Sequence, residues 1–392
     1  MKRILLDKLT RRRAAAAIMT LITLPVIIGF AALTIDVAVL YGTRADLQNA
    51  ADAAALAGAS ELASDAMMQV RMGVESGSAS TLLYASALDR ASDVSALIQS
   101  FGRTRTLIEA KDVALGTINL NSGTEPMHTG VPAGAYNAVR VITRREERSS
   151  NGPVEFFFAP ALGHVTGDVS ASAVGAFDDR VSGFDPGSEG GPYLVPFTID
   201  KDYYDTEFAS GADQYEYDSG LGTVNSGADG VREINLYPLD LVPGNFGLLN
   251  IGRGDESSGG VADHIVNGVP PEDLEAEIGT SELTFSDGAG NPVTHSITGN
   301  PGMKSTLESD IELRVGDVVA FLLHDQAVES GSNATYRITS IRFGRVMDVM
   351  IQGSSKTRGL WIQPVSFYGA GVKTSPLAAS TGGTVGRIVL VR

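Results

Sequence analysis

Ala14 to Ile35 is a run of 22 residues without a charge, and it passes with no stop signal into an alanine-rich stretch whose polar residues recur on a helical period. As a helix the run would be ~33 Å long, the thickness of bilayer hydrocarbon, so the pattern predicts one membrane span. Pro25 and Gly29 fall inside it. A membrane helix tolerates both, because lipid offers the backbone no other partner, and a kink is expected near Pro25. A cleaved signal sequence would have an apolar core of only ~7–15 residues, followed by a small-residue cleavage site. Here Asp36 and further helical periodicity follow, which favours an uncleaved anchor. Leu40, Leu47, Ala51, Ala54, Gly58 and Leu62 continue the apolar stripe beyond the span, while Arg44, Asp46, Gln48, Asn49 and Asp52 fall largely elsewhere. Ala50, Ala54 and Gly58 stand four apart, as do Ala51, Ala55 and Ala59, and such ladders let a helix or sheet approach closely. The approaching element can be the chain's own domain or a neighbouring subunit.

Further along, the apolar runs shorten. Leu82 to Phe101 reads as a second helix; Val113 to Leu120, Ala138 to Ile142 and Asp168 to Phe177 read as strands, and the aromatic stretch Pro153 to Leu162 as a short helix. Asp178 to Gly191 is rich in Gly and Pro and is the expected domain boundary. After it, Pro192 to Ile199 reads as a strand, Asp200 to Gly230 as an acidic, Gly-rich loop, and Val261 to Asn267 as a short helix. Five β-like runs between Val315 and Val391 predict a mostly β barrel or sandwich.

Charge fixes the expected topology. The net charge is −16, yet the first 13 residues hold six Lys or Arg against one acid, so the rest of the chain is still more acidic than the total suggests. Arg11, Arg12 and Arg13 directly precede the span, which places the N-terminus in the cytoplasm by the positive-inside rule. An acidic exterior disfavours nucleic acid as a partner, since protein cations supply that affinity. With no cysteine, disulfides and thiolate metal sites are excluded, and core packing or assembly must hold the outer parts together.

Candidate chemistry is sparse. Asp168, Ser170 and Ser172 spell DxSxS, a metal-ion adhesion signature, but an alternating β pattern runs through it where a helix should follow. Asp200, Asp202, Asp205 and Glu207 cluster without the central Gly of a calcium loop. His128, His164, His264, His295 and His324 are scattered, and the neighbours Asp263–His264 and His324–Asp325 would point to opposite faces of a strand. No phosphate loop, dinucleotide fingerprint or nucleophile elbow is present. The chain carries no feature of an enzyme, and no cofactor is expected.

Leu24 to Gly58, LPVIIGFAALTIDVAVLYGTRADLQNAADAAALAG, resembles the N-terminal segment of the TadE/TadG-like proteins of the Tad (Flp) pilus assembly system. The matching positions are Pro25, Asp36, Tyr41, Arg44 and the string Leu47-Gln48-Asn49-Ala50-Ala51-Asp52-Ala53-Ala54-Ala55-Leu56-Ala57. The strings AVRVITRR, PVEFFFAPALG and DVSASAVGAF extend the likeness to roughly residue 180, and looser strings follow in the second half. TadE-type members carry a prepilin peptidase site with a Glu five residues into the mature helix; no Glu occurs between Met1 and Leu40, so the resemblance is to the TadG type without a von Willebrand A domain.

The expected fold is α+β. It comprises a basic cytoplasmic N-terminus (1–13), a transmembrane helix (14–40), a TadE/G-like, pilin-like module (41–180), a linker (181–191) and a β-rich outer domain (192–392). The resemblance implies a membrane-anchored structural component of pilus assembly, with Asp36, Arg44, Leu47, Gln48, Ala50, Asp52, Ala54 and Gly58 as helix-packing and motif positions. Its expected partners are other pilus-assembly proteins, membrane lipid and further copies joined through the helix, and its expected location is the inner membrane. The competing expectation is an anchored surface module for adhesion or ligand binding.

Overall fold

The apolar stripe and the alanine ladder belong to one α-helix, Lys2–Ser60, which runs through Pro25. Thr23 and Thr34 donate their hydroxyls to the carbonyls of Met19 and Phe30, each at 2.8 Å, so polar side chains inside the apolar stretch are satisfied on their own helix. The computed structural model describes residues 2–73, 78–102, 105–122, 125–188, 193–237, 245–252, 258–330, 333–352 and 358–391; the side chains of residues 2–16, Arg11, Arg12 and Arg13 among them, lie outside what it describes. Met19 to Ile35 is almost wholly uncovered, with Leu21 75% and Phe30 69% exposed, whereas Leu47, Ala50, Ala51, Ala54 and Ala55 are fully buried. Among the described residues this is the one helix long and apolar enough to cross a membrane.

The described chain forms two compact units, Met1–Ala55 with Ala91–Val113 and Arg140–Ala173, and Leu56–Arg90 with Ala114–Val139 and Val174–Arg392. In the first, loops are pinned by buried polar side chains. Arg145, 4% exposed, donates to the carbonyls of Phe101 (2.6 Å), Pro153 (2.7 Å) and Gly152 (2.8 Å). Asn151 closes another loop, accepting from Leu107 N and donating to the carbonyls of Leu107 and Arg144. Pro153 to Leu162 is not a single helix: Val154–Glu155 pairs with Thr166–Gly167, and only Ala159–Leu162 makes a 3-10 turn.

The second unit is built on a closed barrel of five strands: β1 (Leu194–Asp200), β2 (Phe246–Leu249), β3 (His295–Asn300), β4 (Val318–Ser330) and β5 (Asn333–Met350). The ring order is β1-β2-β3-β5-β4, antiparallel throughout except where β4 returns parallel to β1, with Leu322 opposite Thr198. Closure leaves the ring without a free edge. Val195, Phe197, Ile199, Phe321 and Leu323 enter one apolar cluster, with Tyr204, Ile265 and Ile311 from helices Lys201–Ser210, Ser258–Asn267 and Glu308–Glu312. Leu194, Ala320, Leu322, Tyr336 and Ile338 enter another. Both faces of Val318–Leu323 are therefore covered, which is why the first half of β4 reads as an unbroken apolar run.

Three further readings of the sequence change. Asp200 to Gly230 is not a loop: the Asp200 side chain accepts from Tyr203 N and caps helix Lys201–Ser210, and Tyr215–Asp218 pairs with Thr223–Ser226. The clustered acids include a cap, Asp200, and a first-turn Asp202, both favourable at the positive end of a helix. Within the stretch read as a linker, Val181–Phe184 is a strand between Leu283–Thr284 and Val372–Thr374 with Phe184 fully buried, while 189–191 lie outside the described residues. The last strand, Val385–Val391, pairs antiparallel with Val174–Asp178, part of the segment read as the first module.

Candidate interaction site where the long helix leaves its apolar stretch

Asp36 ends the uncharged run and is 3% exposed. One carboxylate oxygen accepts from Phe157 N (2.7 Å) and Phe158 N (3.3 Å), the other from Phe158 N (3.0 Å) and Ala159 N (2.6 Å). These donors lead into the 3-10 turn Ala159–Leu162 and precede its first internal bond, from Ala161 N to the Phe158 carbonyl. Asp36 is therefore an acceptor for three consecutive backbone N–H groups. Sequence marked its position but not its partners, which lie 121 to 123 residues away.

The other motif residues divide by exposure. Leu47 is buried and its carbonyl accepts from Thr143 Oγ1 at 2.8 Å. Gln48 donates to Asp52 Oδ1 (2.6 Å) and to the Ser172 carbonyl (3.2 Å), so two polar motif positions brace the helix against the strand Val169–Asp178. Ala50, Ala54 and Gly58 are buried by the chain's own residues, which use the close approach that small side chains permit. Arg44 and Tyr41 remain exposed. With Val37, Leu40, Asp168, Val169 and Ser170 they line an open groove of about 470 Å³. Asp168, first residue of the DxSxS string, accepts from Glu147 N at 3.2 Å, and the string continues as strand.

Elsewhere the titratable residues have structural partners. His264 Nε2 lies 2.8 Å from Asp273, and His324 Nδ1 2.9 Å from Thr198 Oγ1, while Asp325 pairs with Arg337. His264 thus uses Asp273 and not its sequence neighbour Asp263. Burial raises the Glu233 carboxyl to about 7, with one oxygen accepting from Gln214 N and the other unpartnered. Among the described residues no group of three or more acids and histidines is placed to hold a metal. The second unit has a cavity of about 350 Å³ lined by Phe285, Ile341, Ser340, Ser380 and Arg342.

What sequence reasoning missed at this site is the segment facing Asp36. Phe157 (63%), Phe158 (46%), Leu162 (74%) and Val165 (63%) are exposed, and no charged residue occurs from Phe156 to Gly167. The signal was present in the triple Phe, but its placement depends on Asp36.

Residues 14–61 match the family model Tad, described as putative Flp pilus-assembly TadE/G-like. No curated protein and no solved structure matches the chain.

Proposed function

We propose, from the pilus-assembly match over residues 14–61, that this chain is a single-pass, membrane-anchored structural component of a Flp-type pilus assembly apparatus. It works through packing, without catalysis. The observation that carries the reading is the coincidence of the matched segment with one helix whose Met19–Ile35 part is uncovered and whose later part is locked into the fold. The uncovered part seats in lipid and against other components; Arg11, Arg12 and Arg13 hold the N-terminus in the cytoplasm. Just outside, Tyr41 and Arg44 are exposed motif residues that meet a partner, while Ala50, Ala54 and Gly58 serve the chain's own packing.

The test is a Tyr41→Ala, Arg44→Glu double variant in the native host. Both side chains are exposed, so the fold should be retained. Expected are loss of pili by electron microscopy and loss of pilus-assembly proteins from the complex captured out of detergent-solubilised membranes. Normal pili with an unchanged complex would sink the proposed role of these two residues.

The second reading, an anchored ligand-binding module, is favoured by the cavity at Arg342. Arg342 is 8% exposed, and its guanidinium donates to the Ile341 carbonyl at 2.9 Å and lies 5.8 Å from the Tyr204 ring centre. If this reading is right, Arg342→Gln should abolish adhesion while pili form normally.

A further inference from the structure

The uncharged segment Phe156–Gly167 has a fixed position along the long helix. Its strand pair, Val154–Glu155 with Thr166–Gly167, is level with Leu40: a Cβ placed on Gly167 would lie 3.3 Å from Leu40 Cδ2. Phe156 N donates to the Val165 carbonyl at 3.0 Å, so the two arms stay together beyond that point. The next residues, Phe157 to Ala159, are bonded to Asp36. Asp36 is four residues, ~6 Å, nearer the uncharged run than Leu40. The hairpin therefore descends along the helix toward the apolar stretch, and Pro160–His164 form its tip.

Exposure follows this direction. Phe157, Phe158, Leu162 and Val165 are uncovered on the descending loop, and Phe101, 42% exposed, meets Phe157 edge to face with ring centres 6.1 Å apart. Left in water these side chains would form an apolar cluster with no polar cover. The backbone is equipped for a dry setting as well. Amides entering a lipid boundary cannot turn to water for a partner, and the three at Phe157–Ala159 are already bonded to Asp36. His164 is the one ionisable side chain on the tip, and aromatic rings suit the headgroup level.

We propose that the loop Phe157–Val165 is a second membrane contact, dipping beside the helix into the headgroup boundary of the outer-facing leaflet, with Asp36 as its positioning residue. The occupant is lipid. This rests on the reading of Ala14–Ile35 as a membrane span. Two contacts would fix the rotation of the helix about its axis as well as its depth, so that the Tyr41 and Arg44 face is presented in a set direction.

The test uses the full chain in lipid nanodiscs, with the native Trp361 replaced by Phe. Single tryptophans are placed at Leu162, at Phe158 and, as a control inside the span, at Phe30. Lipids brominated on the upper acyl chain should quench L162W and F158W, and lipids brominated deeper should quench F30W. Adding Asp36→Asn should reduce quenching of L162W while leaving F30W unchanged. Quenching of F30W with none of L162W or F158W, in a protein whose circular dichroism is unaltered, would overturn the loop proposal and leave the span standing. Absence of quenching at all three would overturn the span reading and, with it, the loop.

Discussion

Asp36 shows how one side chain joins distant parts of a chain. Asp36→Ala would orphan the amides of Phe157, Phe158 and Ala159, and leaving a buried donor unsatisfied costs about 1–3 kcal/mol. The expected result is local: faster hydrogen exchange at these three amides and cleavage by protease near Leu162, while the barrel amides keep their protection. Glu233 gives a prediction with a sign. Its folded value of about 7 lies above the unfolded carboxylate range, so between pH 4.5 and 7 the folded state holds the proton more tightly, and stability falls as pH rises through that window. The loss is of order 2–4 kcal/mol by the usual conversion, and Glu233→Gln should flatten denaturant midpoints measured from pH 5 to pH 8. Sequence could flag Asp36 as a charge at the end of an apolar run. It could not supply the acceptor role, because the donors are backbone groups more than a hundred residues on.

At the scale of elements, the long helix was legible because its period persists over many turns, and alternation gave away the strands Ala138–Arg145 and Val169–Asp178. Helix Lys201–Ser210 was not, since four acids within eight residues masked a cap at Asp200 and the apolar pair Tyr204 and Phe208, whose rings stack 6.1 Å apart. The alanine ladder was visible, but a spacing of four does not say what approaches it. Ala54 is now fully buried, so Ala54→Leu should overpack and destabilise the folded chain by about 1–3 kcal/mol. Ala45→Leu, on the exposed side, should be close to neutral. Thermal unfolding of the two variants side by side checks this, and equal midpoints would contradict the burial.

For the whole molecule, a long apolar helix followed by mixed structure and then a strand-rich region was expected and is what the chain forms. Barrel closure was not legible, because the β1–β4 pair joins strands separated by more than a hundred residues and local patterns carry no such information. The pairing of Val385–Val391 with Val174–Asp178 was hidden for the same reason. Removing residues 385–392 should therefore harm the segment near Val174 as well as the distal half, and the shortened protein should aggregate through the bared strand. Recovery of a soluble, monodisperse detergent complex from that truncation would refute this.

That pairing also sets an order in time. A chain made from its N-terminal end presents Val174–Asp178 about two hundred residues before its partner strand emerges, and such a distant closure is slow. The strand must wait with a naked edge or be shielded by a chaperone, and this part of the fold cannot be sealed until Val385–Val391 has emerged. Arrival of Val385–Val391 thus acts as a check on the fold, so that chains still lacking it stay open and recognisable to proteases.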